Sequence, residues 1–418
     1  MDKDLIGELR KAAETILPWA VETRHSLHRH PELSFREWET TGFIAGELDR
    51  AGIPYTLLSE RIPGATGIVA RIQGKMEAEC GNPGRSRTVA LRADIDALPV
   101  TENSGVDFPS EHPGVMHACG HDLHVAILLA AGIVLKRLDS RFRGTVELIF
   151  QPAEEVGQGA DMVIRSGLVS DADGMAAIHM DPAAPSGVFT VGYGSRTSSG
   201  YCAKIRVRAD GNPCAEIPGK ASANTGAAIR EMAFLVNTIG SEFPKDCLRG
   251  NAVFTPTLLE TGDDGAISAT FDGRLTDERD RSVIREAVLR ITKAAESIFG
   301  LPTESAWKTI SGTVVNDRAC TDLAAEVIRD VLGKDHVRFG QPVMFGEDFR
   351  RYREITDNQV FALLGGGGDF PCFSLHNSRV RFDDRAIRSG ICYEAGFALE
   401  YLARGAYRKR GESWNRKK

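Results

Sequence analysis

The chain has 418 residues, 42% of them hydrophobic and 26% charged, with a formal net charge of −6. That is more than one core serves and suits two domains folded without staples, and no like-charge block except the basic end from Arg404 to Lys418, which reads as a solvated terminus, speaks for nucleic acid. Scattered cysteines and an amino terminus without signal-peptide character imply a cytoplasmic protein, and no apolar run approaches the roughly 20 residues of a membrane span.

Apolar spacing predicts amphipathic helices over Leu5–Leu27 and Thr40–Ala51. Strands are expected at Thr66–Ile72, Thr88–Arg92, Thr145–Phe150 and Met175–His179, interleaved with a helix after Asp122 and another over Ala160–Ser166. The polar segment Gly74–Arg87 reads as a hairpin or surface loop. From about Thr197 the texture changes to strand Tyr201–Arg208, helix Thr225–Ile239, strands Ala252–Leu259 and Ile267–Leu275, and helix Ser282–Phe299. A helix near Asp322–Leu332, a strand Val360–Leu364 and a helix Ile391–Ala403 close the chain. The expected fold is α/β, with a doubly wound, mostly parallel catalytic sheet and an inserted two-layer α+β domain. Its boundaries fall at 1–196 and 310–418 for the catalytic domain and 197–309 for the insertion.

The densest chemistry lies in Val115–His124, where Cys119 and His121, two apart, can face one point ahead of the apolar run Val125–Leu135. Thiolate and imidazole together suit a transition metal, zinc or manganese, although Cys-x-His alone also describes a buried thiol beside helix-capping histidines. Glu154 and Glu155 leave a strand end in different directions, so one can bind a metal while its neighbour holds a water and passes its proton to a leaving amine. Such pairs are also common on solvated surfaces. Asp94 and Asp96 follow one strand and His179 closes another, while His376 lies beyond the glycine run Gly365–Gly368, which lacks a phosphate-loop ending and reads as a tight turn. Isolated histidines are more often structural than metal-bound, and His25, His28, His30, His112 and His336 are assigned to structure or solvent. His117 and His124 are candidates for supporting the site.

Six ordered motifs complete the picture: Arg24-His25-Ser26-Leu27-His28-Arg29-His30-Pro31-Glu32-Leu33-Ser34-Phe35, Leu91 to Pro99, Met116 to Asp122, Ile149 to Glu155, Phe345 to Phe349, and the stretch from His376 to Asp384. With them the chain resembles the amidohydrolase branch of the M20 metallopeptidase family, which includes hippurate hydrolases and plant auxin-conjugate hydrolases. The resemblance implies that Cys119, His121, Glu155, His179 and His376 bind two neighbouring divalent ions, manganese or zinc with cobalt also suitable. It implies further that Cys119 bridges them, that Glu154 is the general acid and base, and that Asp94 and Asp96 orient ligand imidazoles. The insertion corresponds to the family's lid and dimerisation domain, which implies a homodimer and a small-molecule substrate, with no nucleic acid or membrane partner.

The lid departs from the family pattern. Aligning on a proline puts Cys214 where relatives carry a lid histidine, and Asp263-Asp264-Gly265-Ala266 stands where an asparagine helps hold the substrate carboxylate. An acidic pair there repels a carboxylate. Two enzyme readings follow: an amidohydrolase of N-acyl amino acids with an altered lid, or a hydrolytic deaminase of an electron-poor amino-aromatic acid, of the 5-nitroanthranilate aminohydrolase type, releasing ammonia. In a third, the protein is a non-catalytic metal binder, against which Glu154 argues, since a structural metal site needs no general base.

Overall fold

The computed structural model describes residues 1–77, 86–169, 172–208, 223–241, 247–262 and 266–404. Cys214, Asp263, Asp264, the middle of the Gly74–Arg87 loop and almost all of the basic end lie outside them. The chain divides into two compact units, one of Met1–Gly194, Val315–Gln341 and Asp348–Lys418, the other of Ser195–Val314 and Pro342–Glu347.

The first unit begins with α1 (Lys3–Arg29), α2 (Trp38–Arg50), β1 (Tyr55–Leu57), β2 (Ile68–Gln73), β3 (Thr88–Asp94), α3 (His121–Arg137), β4 (Thr145–Gln151), α4 (Gly159–Ser166), β5 (Gly174–Pro185), β6 (Phe189–Val191) and β7 (Gly194–Ser195). The second unit contributes β8 (Ser199–Val207), α5 (Ala223–Ser241), β9 (Ala252–Thr261), β10 (Ile267–Leu275), α6 (Asp280–Phe299) and β11 (Thr303–Thr309). The chain then returns through β12 (Val315–Asn316), α7 (Arg318–Val331), β13 (Val337–Phe339), β14 (Gln359–Gly367) and α8 (Arg385–Ala403).

In the first unit eight strands run in the order β1-β2-β4-β3-β5-β14-β6-β13. The central β4, β3, β5 and β14 are mutually parallel, while β1, β2 and the β14–β6 pair are antiparallel. The expected mostly parallel α/β sheet is therefore present. β3 and β4 are buried at every position after the first, as a sheet covered on both faces requires. The apolar stripes of α1, α3, α7 and α8 pack together in one core with the sheet. This arrangement brings the carboxyl ends of β3, β4, β5 and β14 to one edge, where loops from parallel strands converge.

The glycine run is not a turn. Gly365 and Gly367 are the last part of β14, and a Cβ on Gly365 would lie 2.0 Å from the Pro185 carbonyl oxygen. Glycine there serves close strand approach. β5 likewise continues past His179 to Pro185. The second unit is a four-stranded antiparallel sheet in the order β11-β8-β10-β9, whose alternate β8 residues Tyr201, Ala203, Ile205 and Val207 form a core with α5 and α6. Its fourth strand, β11, carries a weak alternation with no fully buried residue.

Candidate metal centre

Three loops at the carboxyl edge and β5 itself supply the candidate ligands. Cys119 and His121 flank Gly120 at the start of α3, where the glycine has φ 86° and a Cβ would come within 2.9 Å of the Met180 side chain. His179 projects from β5, Glu154 and Glu155 follow β4, and His376 lies in the loop after β14 with φ 65°. The His376 backbone N–H donates to the Ala118 carbonyl at 3.0 Å, tying that loop to the Cys119 segment.

The ligand atoms of Cys119, His121 and His179 lie within 4.8 Å of one another, as do those of Cys119, Glu155 and His376, and those of His121, Glu154 and Glu155. Cys119 belongs to the first two groups, with its Sγ 3.4 Å from His179 Nε2. His376 Nε2 stands 3.5 Å from Glu155 Oε2, and His121 Nε2 3.8 Å from Glu155 Oε1.

Neighbouring carbonyls fix the tautomers. His121 Nδ1 lies 2.9 Å from the Asp96 carbonyl oxygen and His179 Nδ1 2.9 Å from that of Met180, so each Nδ1 carries a proton and Nε2 is the nitrogen left to face a cation. His124 is different: Nδ1 donates to Asp94 Oδ1 at 2.5 Å and Nε2 accepts the Met180 N–H at 2.9 Å. Both its nitrogens are committed.

The acidic residues divide the support of the site. Asp94 pairs with Arg92 at 2.6 Å and holds His124; although burial opposes its ionisation, Arg92, His121 and His124 keep it well below the usual carboxylate range. Asp96 orients His121 through its carbonyl, while its carboxylate serves another purpose. Oδ1 accepts the Glu154 N–H and Oδ2 the Glu155 N–H, each at 3.1 Å, and Oδ2 also takes the Ser34 hydroxyl at 2.7 Å. Glu37, at the start of α2, accepts the Ala153 N–H at 2.8 Å and the Thr66 hydroxyl at 2.6 Å. Asp348 accepts from Arg92, Gln151 and the Ala160 N–H, and its own N–H reaches Glu154 Oε1 at 3.4 Å. Sequence reasoning gave Glu37, Arg92, Gln151 and Asp348 no individual role; the last three lie inside the quoted motifs, which were the available signal.

Beside the site, buried Arg24 donates to Asp122 at 3.0 Å, and His28 bridges Asp122 at 2.9 Å and Glu102 at 3.1 Å. Burial alone would lower the His28 pKa, but its two carboxylates raise it. His117 has neither ring nitrogen hydrogen-bonded among the described residues, and burial pushes its pKa down to about 4.

The donor set fits divalent cations. The buried His121 Nε2 and Glu155 Oε1 have no hydrogen-bond partner among the described residues. The Cys119 thiol is driven well up by burial and then by Glu155, Glu154 and Asp94, so a thiolate forms there only against added positive charge. His121, which burial would lower, is raised to about 10 by Asp94, Asp96 and Glu155, the mark of a site with surplus negative charge.

The profile of peptidase family M20/M25/M40 matches residues 90–400. The chain is 31% identical over 410 residues to thermostable carboxypeptidase 2 of Saccharolobus solfataricus, covering 95% of this chain and 99% of that one. It is 30% identical over 385 residues to N-acetyl-L-cysteine deacetylase of Bacillus subtilis, covering 90% and 87%. Among solved structures, the Bacillus subtilis YXEP protein, a dinuclear metal binding peptidase from M20 family, superimposes with TM-score 0.78 at 26% identity over 93% of this chain and 99% of that one. No helix among the described residues is long and apolar enough to cross a membrane. The family profile, the relatives and the ligand-rich strand edge agree: the chain belongs to peptidase family M20/M25/M40 and is a metal-dependent hydrolase of carbon–nitrogen bonds.

Proposed function

We propose that this protein is a dinuclear amidohydrolase that cleaves N-acyl amino acids, with Cys119, His121, Glu155, His179 and His376 as the ligands and Glu154 as the general base and acid. The observation that carries the reading is the place of Cys119 in two ligand triads, one with His121 and His179 and the other with Glu155 and His376, so that these residues together would hold two divalent ions. Manganese and zinc both suit this mixed donor set. Bound there, two divalent ions supply Lewis acidity that polarises the scissile acyl group and brings the pKa of water towards neutrality.

The protein's own groups then manage protons and position. Glu154 Oε1, steadied by the Asp348 N–H, takes the proton from the attacking water as its oxygen bonds to the acyl carbon. The C–N bond breaks, and Glu154 returns that proton to the departing nitrogen, giving a carboxylic acid and an amine that leave as carboxylate and ammonium once the acid's proton passes to the amine. His121 and His179 present Nε2 because the Asp96 and Met180 carbonyls hold the opposite nitrogen. Deacetylase and carboxypeptidase relatives support an amide or peptide substrate. We also infer a homodimer formed through the inserted domain. Support comes from edge strand β9, which exposes Val253, Leu258 and Leu259.

The second reading is hydrolytic deamination of an electron-poor aminobenzoate: a small planar aromatic acid does not need the usual lid contacts, and Cys214 and Asp263-Asp264 stand where the family's lid histidine and asparagine would be. Manganese-loaded protein incubated in parallel with N-acyl amino acids and nitro-substituted aminobenzoates separates the two. Free amino acid from the acyl substrates supports amide hydrolysis; ammonia from the aminobenzoates alone replaces it with deamination.

A further inference from the structure

Three consecutive backbone N–H groups, those of Ala153, Glu154 and Glu155, point at carboxylate oxygens brought from elsewhere in the chain. Asp96 takes the last two, and Glu37 takes the first. Ala153 is a non-glycine residue with φ 52°, a left-handed conformation that persists only where its surroundings hold it. Its carbonyl is also committed, accepting the Gly159 N–H at 3.1 Å.

Glu37 is fully buried yet does not cap the helix it begins. Its carboxylate leaves α2 and spans from the Thr66 hydroxyl to the Ala153 N–H. Thr66 precedes Gly67, where a Cβ would come within 2.7 Å of Pro152, so the segment entering β2 lies directly against the turn that Glu37 grips. A buried carboxylate placed at such a junction is costly unless every oxygen is matched. Here both oxygens are.

We propose that Glu37 is a positioning residue for catalysis: by holding the Ala153 N–H it fixes the left-handed turn that aims the Glu154 carboxylate. The proposal rests on the reading of Glu154 as general base. Glu37 touches no candidate ligand; it acts through the backbone one residue before Glu154. What the clamp needs is a pair of groups at the right distance, one of them an acceptor. Glutamine supplies these, since its carbonyl oxygen accepts from Ala153 and its amide donates to a Thr66 hydroxyl that turns from donor to acceptor.

The test compares Glu37→Ala, Glu37→Gln, Thr66→Val and Glu154→Gln in metal-loaded full-length protein, on whichever probe, N-acyl amino acid or nitro-aminobenzoate, the wild type turns over. Glu37→Ala should lower kcat about 10- to 100-fold with KM and metal content within about twofold, whereas Glu37→Gln stays within about threefold of wild type. Thr66→Val, which removes one end of the clamp without emptying the site, should fall between them. Backbone amide exchange in peptides spanning 151–158 should speed up in Glu37→Ala and not in Glu37→Gln, a readout independent of any substrate. Unchanged kcat and exchange in folded, metal-loaded Glu37→Ala would overturn the proposal, as would Glu37→Gln losing as much as Glu37→Ala. Should Glu37→Ala not fold, unchanged kcat and exchange in Thr66→Val overturn it equally. Full activity in Glu154→Gln instead removes the general-base reading while leaving the exchange result to judge the clamp.

Discussion

Asp96 Oδ1 accepts the backbone N–H of Glu154 at 3.1 Å, so the residue that follows β3 fixes the one that follows β4. With the same carboxylate holding Glu155 and Ser34, Asp96 makes three bonds that a single amide oxygen cannot replace. Asp96→Asn turns an NH2 towards one of these N–H groups. The expected outcome is a loss of kcat of about 10²-fold and of about 1–3 kcal/mol in stability, read from steady-state kinetics and thermal melts.

Gly159 is expected to be as sensitive although it has no side chain to reach the site. A Cβ there would lie 1.6 Å from the Pro152 carbonyl oxygen, a backbone atom that yields only if the Pro152–Glu155 turn moves. Gly159→Ala should therefore lower kcat more than metal affinity, which parallel kinetics and metal titration would separate, and should cost about 1–3 kcal/mol by overpacking.

Much of this was legible in the sequence, and the reason is physical. β3 and β4 are mostly apolar runs, broken only by Arg92 and Glu147, with Asp94 closing the first and Glu154-Glu155 following the second, and such a pattern survives in one dimension. β1, β6 and β13, three residues each, are too short to show a period, and β11 alternates without burying a side chain fully. The glycine run misled because glycine marks close approach as often as a turn, and here Pro185 is what comes near. Asp96 was expected to orient an imidazole; the atom nearest His121 Nδ1 is its backbone carbonyl, and no side-chain pattern reports a backbone atom's partner. Glu37 sits two residues past the first quoted motif, and only the fold brings it to Ala153.

Glu394 in α8 is fully buried with neither carboxylate oxygen hydrogen-bonded among the described residues, and burial holds its pKa well above the usual value. Folded protein therefore binds a proton that unfolded chain releases above its ordinary pKa near 4.5. The stability this proton confers is complete below that pH and is lost as pH rises towards the folded pKa. Glu394→Gln removes the penalty. Its melting temperature should match wild type at acid pH and exceed it increasingly as the buffer moves to pH 8.

Chelation should expose the charge surplus of the metal centre. Metal-stripped protein leaves the His121 Nε2 and Glu155 Oε1 unpaired and the surrounding carboxylates mutually repelling. Its melting temperature should rise with added manganese or zinc, by about 2.7 kcal/mol of stability at one hundred times the dissociation constant. His124→Gln, whose native nitrogens are spoken for by Asp94 and Met180, should retain two ions per chain, whereas Cys119→Ala should not.

The most direct measurement is metal stoichiometry and turnover on one preparation of wild type and Glu154→Gln. Two divalent ions per chain in both proteins, with turnover in the variant reduced at least about 10²-fold, is the predicted result for a general base beside a separate ligand set. A variant that keeps full turnover, or loses an ion along with its activity, would contradict the division of labour between Glu154 and Glu155.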